Sequence, residues 1–217
     1  MPSKNIISQY LKKNQVKIKA FTGILVIVAF FILSSYLVKE NLDFVKSLIG
    51  NNFLGVLIYI SIVIIAIVIA PINMLPLVPI ASNIFGWFYT GIFNVIGWFL
   101  GSIIVFFLSR KYGIPLIKKF VSLDTLYKLE SKIPKENMFI SIIILRMTIP
   151  VDALSYALSL LSNVKFRTYA VATFIGIIPF SFAFAYLGTV PIYYQIFGLI
   201  GIGIVILLIR KVFTKKK

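Results

Sequence analysis

The sequence predicts an all-α polytopic membrane protein, with about four full transmembrane helices plus two re-entrant hairpins in an inverted repeat. Three observations predict it. Apolar residues make up 60% of the 217, above the roughly 45–50% of soluble domains. No Asp, Glu, Lys or Arg occurs from Ser47 to Ser109, nor from Thr168 to Ile209, whereas one crossing needs about 20 apolar residues. Prolines interrupt the apolar sequence where a continuous helix would reject them.

The net charge of +16 is gathered at the ends of apolar runs. Lys4, Lys12, Lys13, Lys17 and Lys19 precede the first run. Arg210, Lys211, Lys215, Lys216 and Lys217 follow the last. Such clusters mark the cytoplasmic side and favour anionic headgroups. They leave no basic folded domain to bind nucleic acid. The chain has no Cys and no His, which removes disulfides, thiolate chemistry, the usual zinc sites and the imidazole proton shuttle. No cofactor and no metal is implied.

The elements follow in order. Residues 1–20 are a basic cytoplasmic N-terminus. Residues 21–38 are a first crossing, an uncleaved signal anchor because no small-x-small site follows the exit "SSYLVKE". Residues 39–52 carry Lys39, Glu40, Asp43 and Lys46, which cancel, and read as an outer loop completing a 21–52 unit. The run "FLGVLIYISIVIIAIVIA" (53–70) is an apolar helix. It enters "PINMLPLVPIASNIFG", with Pro71, Pro76 and Pro79 beside Asn73 and Asn83. In lipid, broken backbone survives only inside protein or beside a wet cavity, so 53–89 reads as the first hairpin.

Residues 90–109 are a full span in which Gly97 and Gly101 form a small-xxx-small face for close helix contact. Residues 110–136 are a basic inner loop, with Arg110 as an anchor at the span end and 114–132 as a surface helix. Residues 137–163 are broken at Pro150 before they can span, and form the second hairpin. Residues 166–187, with Pro179, cross again. Residues 188–191 turn, and 192–209 are the last span of a 191–217 segment with a basic C-terminus. Four crossings put both termini and every basic cluster on one side, as in a bacterial plasma membrane. Making 53–70 a complete crossing would move the basic loop outside.

A 75-residue shift places Gly101 on Gly176 and Gly113 on Gly188, each pair preceded by a proline-broken segment. Each unit is a hairpin followed by a span, in opposite orientations. Inverted repeats with interrupted helices point to a transport site near the midplane.

Within "ILRMTIPVDALSY", Arg146 and Asp152 are ionisable groups in apolar surroundings, a functional hypothesis by default. On one helix, six positions turn about 240° and the two would not face each other, but Pro150 breaks the helix between them. Three roles are open: a clasp that locks the hairpin, a guanidinium that binds lipid phosphate with Asp152 orienting it, or an interfacial arginine that snorkels. Tyr156, Ser155 and Ser82 are nearby polar groups.

The stretches "LPLVPIASNIFG", "GSIIVFFLSRKYG" and "LRMTIPVDALSYALSLLSNVKFRTYAVATFIGIIPFSFAFAYLG" resemble the DedA superfamily, most closely its VTT-domain, or SNARE-associated Golgi protein-like, branch. The resemblance covers about residues 70–188, within a core of 53–190. Its most specific pieces are Arg146 with Pro150, Asp152 and Tyr156, then Gly176–Pro179 and Tyr186–Gly188. It implies two re-entrant hairpins meeting from opposite faces, and lipid movement: scrambling of phospholipids or flipping of polyprenyl-phosphate carriers, sometimes proton-coupled. Two features depart from the bacterial DedA pattern. No acidic residue lies in Pro71 to Phe88, and a second arginine is missing before Asp152. Both favour energy-independent scrambling.

The expected function is a membrane lipid scramblase or lipid transporter whose partners are membrane lipids with anionic headgroups. A homo-oligomer is compatible with it. An ion- or proton-coupled small-solute transporter and a non-transporting assembly factor are the alternatives. Without His or Cys, and with a lone Asp152 that cannot form an aspartyl dyad, an enzyme is not expected.

Overall fold

The computed structural model describes residues 25–49, 52–69, 74–117, 137–147, 151–161 and 164–214, together with Thr22 and Asp124. The described residues are helical, with no strand among them. Their order is α1 (25–40), α2 (Leu42–Ile49), α3 (Phe53–Val68), a 3-10 turn (Leu75–Leu77), α4 (Val78–Phe85), α5 (Trp87–Ile117), α6 (Met138–Arg146), α7 (Val151–Leu161), α8 (Phe166–Leu187) and α9 (Ile192–Thr214). By length and composition, Trp87–Pro115 and Phe166–Leu187 can each cross a membrane, while Phe53–Val68, Leu75–Phe85 and Ile192–Leu208 are shorter apolar helices.

The centre of the fold is an antiparallel pair, α5 and α8. Their contacts run in opposite order along the two helices. Trp87 meets Tyr186 with ring centroids 5.7 Å apart, Phe99 meets Phe174 at 5.6 Å, and Phe107 meets Phe166 at 5.1 Å. Between these, Ser181 Oγ donates to the Gly91 carbonyl at 2.9 Å. The 75-residue offset carries Phe99 onto Phe174, so these rings touch at the point where the two units are exchanged.

The short helices dock on this pair in matching fashion. α3 packs on α5 and α6 packs on α8, each within its own unit. α7 reaches across to α5, and α4 reaches across to α8. Glycines permit the close docking. A Cβ on Gly97 would lie 2.5 Å from Val63, and one on Gly101 2.8 Å from Ile67, both on α3. A Cβ on Gly176 would lie 2.8 Å from the Arg146 Cβ on α6. Gly188 lies against the backbone of Pro79 in α4, where a Cβ would come within 2.8 Å.

Several expected boundaries are corrected. The described part of the expected outer loop 39–52 is largely helical: α1 runs to residue 40 and α2 occupies Leu42–Ile49. The long helix expected from residue 90 starts earlier, at Trp87, directly after the Gly86 that caps α4. Gly86 has φ +83, which favours glycine. Pro79 does not break structure. It sits in the first turn of α4, where its missing N–H has no helical partner to lose, and Pro76 sits in the 3-10 turn. Helix α5 continues past 109, with non-helical dihedrals at Gly113 (φ +62). Gly113 therefore bends a helix end, whereas Gly188 packs, and the repeat match does not extend to a shared role for these two. Most of the predicted surface helix 114–132 lies outside the described residues.

The two ends of the bundle differ in chemistry. Trp87, Phe88, Tyr89 and Tyr186 are exposed at one end, as in the aromatic belts of membrane proteins. Arg110, Lys111, Lys165 and Arg167 lie at the other.

Candidate functional site

Arg146 ends α6 and is 3% exposed. Apolar residues carry α6 onto α8, with Ile142 and Leu145 buried in the main core cluster, and that packing takes the guanidinium inside with them. Its Nη1 donates to Ser155 Oγ at 2.8 Å. Its Nη2 donates to the Tyr169 hydroxyl at 2.9 Å and to Thr173 Oγ1 at 3.2 Å. The Tyr169 hydroxyl donates onward to the Ser102 carbonyl at 3.0 Å, and Ser155 Oγ donates to Ser102 Oγ at 3.2 Å. Ser102, Ser155, Tyr169 and Thr173 are fully buried. One cation thus ties α6 to α7 and α8, and its partners reach α5. Both ends of the second break are held through it.

The depth of this cluster follows from the α5–α8 pair. Tyr169 lies five residues from Phe174, and Ser102 three from Phe99, both toward the basic end. At about 1.5 Å per residue, the cluster sits about 5–8 Å from the centre of the pair on its basic side.

Asp152 falls in the first turn of α7. Its side chain, and all of Pro71, Asn73 and Pro150, lie outside what the structure describes. Tyr156 is brought close to the first unit rather than to the arginine: its hydroxyl donates to the Val68 carbonyl at the end of α3. That bond satisfies one of the carbonyls a helix end leaves open. Tyr156→Phe is expected to cost about 1 kcal/mol of stability, since it removes the bond and keeps the ring. Thermal unfolding in detergent measures it, and an unchanged midpoint would deny the bond any weight.

Asn83 does not join Arg146 either. It donates to the Pro79 carbonyl at 2.8 Å and to the Gly188 carbonyl at 3.0 Å. The Gly188 carbonyl also accepts from Ser35 Oγ at 3.1 Å, and the Val190 carbonyl accepts from Lys39 Nζ at 2.6 Å and from Gln195 Nε2 at 2.9 Å. These four side chains, from α1, α4 and α9, clasp the turn after α8. Partial burial lowers the Lys39 pKa.

Arg110 is more than a surface anchor. Its Nη2 donates to the Val164 carbonyl at 2.6 Å and its Nε to the Ser159 carbonyl at 3.3 Å, with the guanidinium 4.5 Å from the Phe106 ring centroid. A cation at the end of α7 suits the negative end of the helix dipole.

Sequence reading picked out Arg146 but missed Ser102, Tyr169 and Thr173. Tyr169, Thr173 and Gly176 share one face of α8 by their spacing, and that stripe was the available signal. Among the described residues no cluster of three or more His, Cys, Asp or Glu could hold a metal ion.

No curated protein and no solved structure matches the chain. A family model, that of the VTT domain, matches residues 71–190. The match begins before α4 and ends in the clasped turn after α8, so it holds both Arg146 and the α5–α8 pair. The chain belongs to the VTT-domain family, that of the DedA and SNARE-associated Golgi proteins, and is a membrane protein.

Proposed function

We propose that the protein moves lipid headgroups across the bilayer, as a scramblase or lipid transporter for phospholipid or polyprenyl phosphate, with no chemical step. The observation that carries this reading is Arg146, a guanidinium buried at a helix break in the membrane-embedded core. A charge at that depth is costly and is kept where it works. Its planar fork matches two phosphate oxygens. Membership of the VTT family and the interrupted helices on each side of the α5–α8 pair support the same reading.

In this reading the basic end faces the cytoplasm, with both termini there, and the membrane is a bacterial plasma membrane. α3 has 16 residues, about 24 Å of helix, short of the roughly 30 Å hydrocarbon core. It serves as one limb of a re-entrant hairpin from the aromatic side. α6 and α7 form the other from the basic side. Headgroups pass near Arg146 while acyl chains stay in lipid.

A second reading draws on the same hydrogen bonds: Arg146 only locks four helices, and the protein is a non-transporting assembly factor. Fluorescent-phospholipid scrambling in liposomes separates the two, using wild type, Arg146→Lys and Arg146→Ala. The transport reading expects protein-dependent scrambling that Lys slows several-fold and Ala abolishes in folded protein. Wild-type rates in every folded variant would leave only the lock. Absence of scrambling for both phospholipid and polyprenyl phosphate would overturn transport.

A further inference from the structure

The half of the core on the aromatic side of Phe99–Phe174 carries further buried polar side chains, apart from the arginine site. Tyr59 on α3 donates its hydroxyl to Asn94 Oδ1 on α5 at 2.6 Å. Asn94 is fully buried, and its Nδ2 has no hydrogen-bond partner. Thr90 lies one turn away on the same face of α5. It too is fully buried, with Oγ1 unpartnered. Ser82, 1% exposed with Oγ unpartnered, lies on α4. Ser82 and Thr90 each stand four residues from Gly86 in the sequence, on either side of the turn. Buried polar side chains are satisfied in the great majority of cases, so Asn94, Thr90 and Ser82, on the packed pair α4 and α5, each leave a donor that a ligand could meet.

The position of Asn94 is not arbitrary. The 75-residue offset carries Asn94 onto Tyr169, the residue of α8 that holds Arg146. Asn94 lies five residues from Phe99 toward the aromatic end, as Tyr169 lies five residues from Phe174 toward the basic end. The two polar groups are thus pseudo-symmetric mates, about 15 Å apart along the pair at about 1.5 Å per residue. The offset places a neutral polar side chain at the same depth in each half, and Arg146 adds a charge beside Tyr169 alone.

The chemistry of the orphans selects the ligand. The acceptor oxygen of Asn94 is taken by Tyr59, which leaves the two N–H donors of its amide. The hydroxyls of Thr90 and Ser82 can donate as well. A donor-rich, uncharged site takes an oxygen acceptor and has little for a cation. We propose that Asn94, Thr90 and Ser82 form a neutral hydrogen-bonding station for phosphate oxygens of a lipid headgroup in the aromatic-side half, the counterpart of the cationic station at Arg146. This inference rests on the lipid-transport reading. It adds that the path has two stations of unequal charge, one on each side of the Phe99–Phe174 contact. The neutral station holds an anion weakly enough to release it.

The test uses the full chain with Arg146 intact. Variants Asn94→Leu, Thr90→Val and Ser82→Ala are purified and incorporated into vesicles of phosphatidylcholine and phosphatidylglycerol. Scrambling rate and the phospholipid retained by the purified protein, read by native mass spectrometry, are both measured. Asn94→Leu is expected to slow scrambling about tenfold, the size of one lost hydrogen bond to a charged group, and to lower retention. Thr90→Val is expected to slow it several-fold. A folded Asn94→Leu with wild-type rate and retention overturns the station. If Asn94→Leu does not fold, the Ser82→Ala, Thr90→Val double variant decides. The hydroxyls it removes bond to nothing among the described residues, and unchanged rate and retention in it overturn the proposal. If the wild type does not scramble, the transport reading falls by itself and retention alone decides the station. Excess inorganic phosphate separates the two sources of the anion. Unchanged lipid retention keeps the lipid, whereas displacement overturns the lipid as the source.

Discussion

Arg146→Ala is expected to lower stability by about 3–5 kcal/mol, the usual cost of removing one member of a buried charged network. The loss has two parts. The variant forfeits hydrogen bonds from a charged donor to Ser155, Tyr169 and Thr173. It also takes from Thr173 its buried partner, at about 1–3 kcal/mol for a group left unsatisfied, while Ser155 keeps its bond to Ser102 Oγ. Tyr169 keeps its bond to the Ser102 carbonyl, which holds the total below the sum of the parts. Arg146→Lys is expected to fall between, because an ammonium keeps the charge and loses the planar fork. Chemical unfolding in a fixed detergent reports both. A loss below about 1 kcal/mol for the alanine variant would be the size of an ordinary surface change and would remove the network from any account of the fold.

Gly176→Val is the second large effect. The added Cβ would lie 2.8 Å from the Arg146 Cβ, 3.1 Å from the Ile143 carbonyl oxygen and 3.2 Å from the Ile143 Cα. Two of these three atoms are backbone and cannot rotate away, so α6 must move off α8. Overpacking of this kind costs about 1–3 kcal/mol. The displacement also draws the guanidinium from Tyr169 and Thr173, which adds part of the Arg146 loss. Gly201→Ala on α9 is the matched control, because nothing lies within 4 Å of its added Cβ. It is expected to be neutral or slightly stabilising, as alanine is the better helix former by about 1 kcal/mol. The two variants compared by thermal unfolding test close docking directly. Equal midpoints would mean that α6 does not depend on Gly176.

What the sequence disclosed follows from what is rare in it. A charge in an apolar run is conspicuous, and Arg146 stands out for that reason. Gly97, Gly101 and Gly176 stand out by spacing and by the 75-residue offset. Ser102, Tyr169 and Thr173 do not, because hydroxyls are common in membrane helices and their partners lie many residues away. Asn94 is as inconspicuous, and only its orphaned amide in three dimensions singles it out. Pro79 misled by its residue type: proline breaks a helix in its interior and opens one at its start. The charges of 39–52 mark exposure and say nothing against helix, so the helix at Leu42–Ile49 was not legible in them.

The crossed packing of the two units bears on how the chain is made. α7 lies on α5, and α4 lies on α8. The partners of Ser102 on α5 are Ser155 and Tyr169, and the Gly91 carbonyl waits for Ser181. When the first unit leaves the ribosome, the residues that will cover it have not been translated. Its polar groups must be shielded by lipid headgroups, water or the insertion machinery until the second unit arrives. Neither half can be completed alone, and the core closes only after both have been made. Truncation after α5 therefore leaves an unfinished surface that quality control can recognise, not a smaller protein.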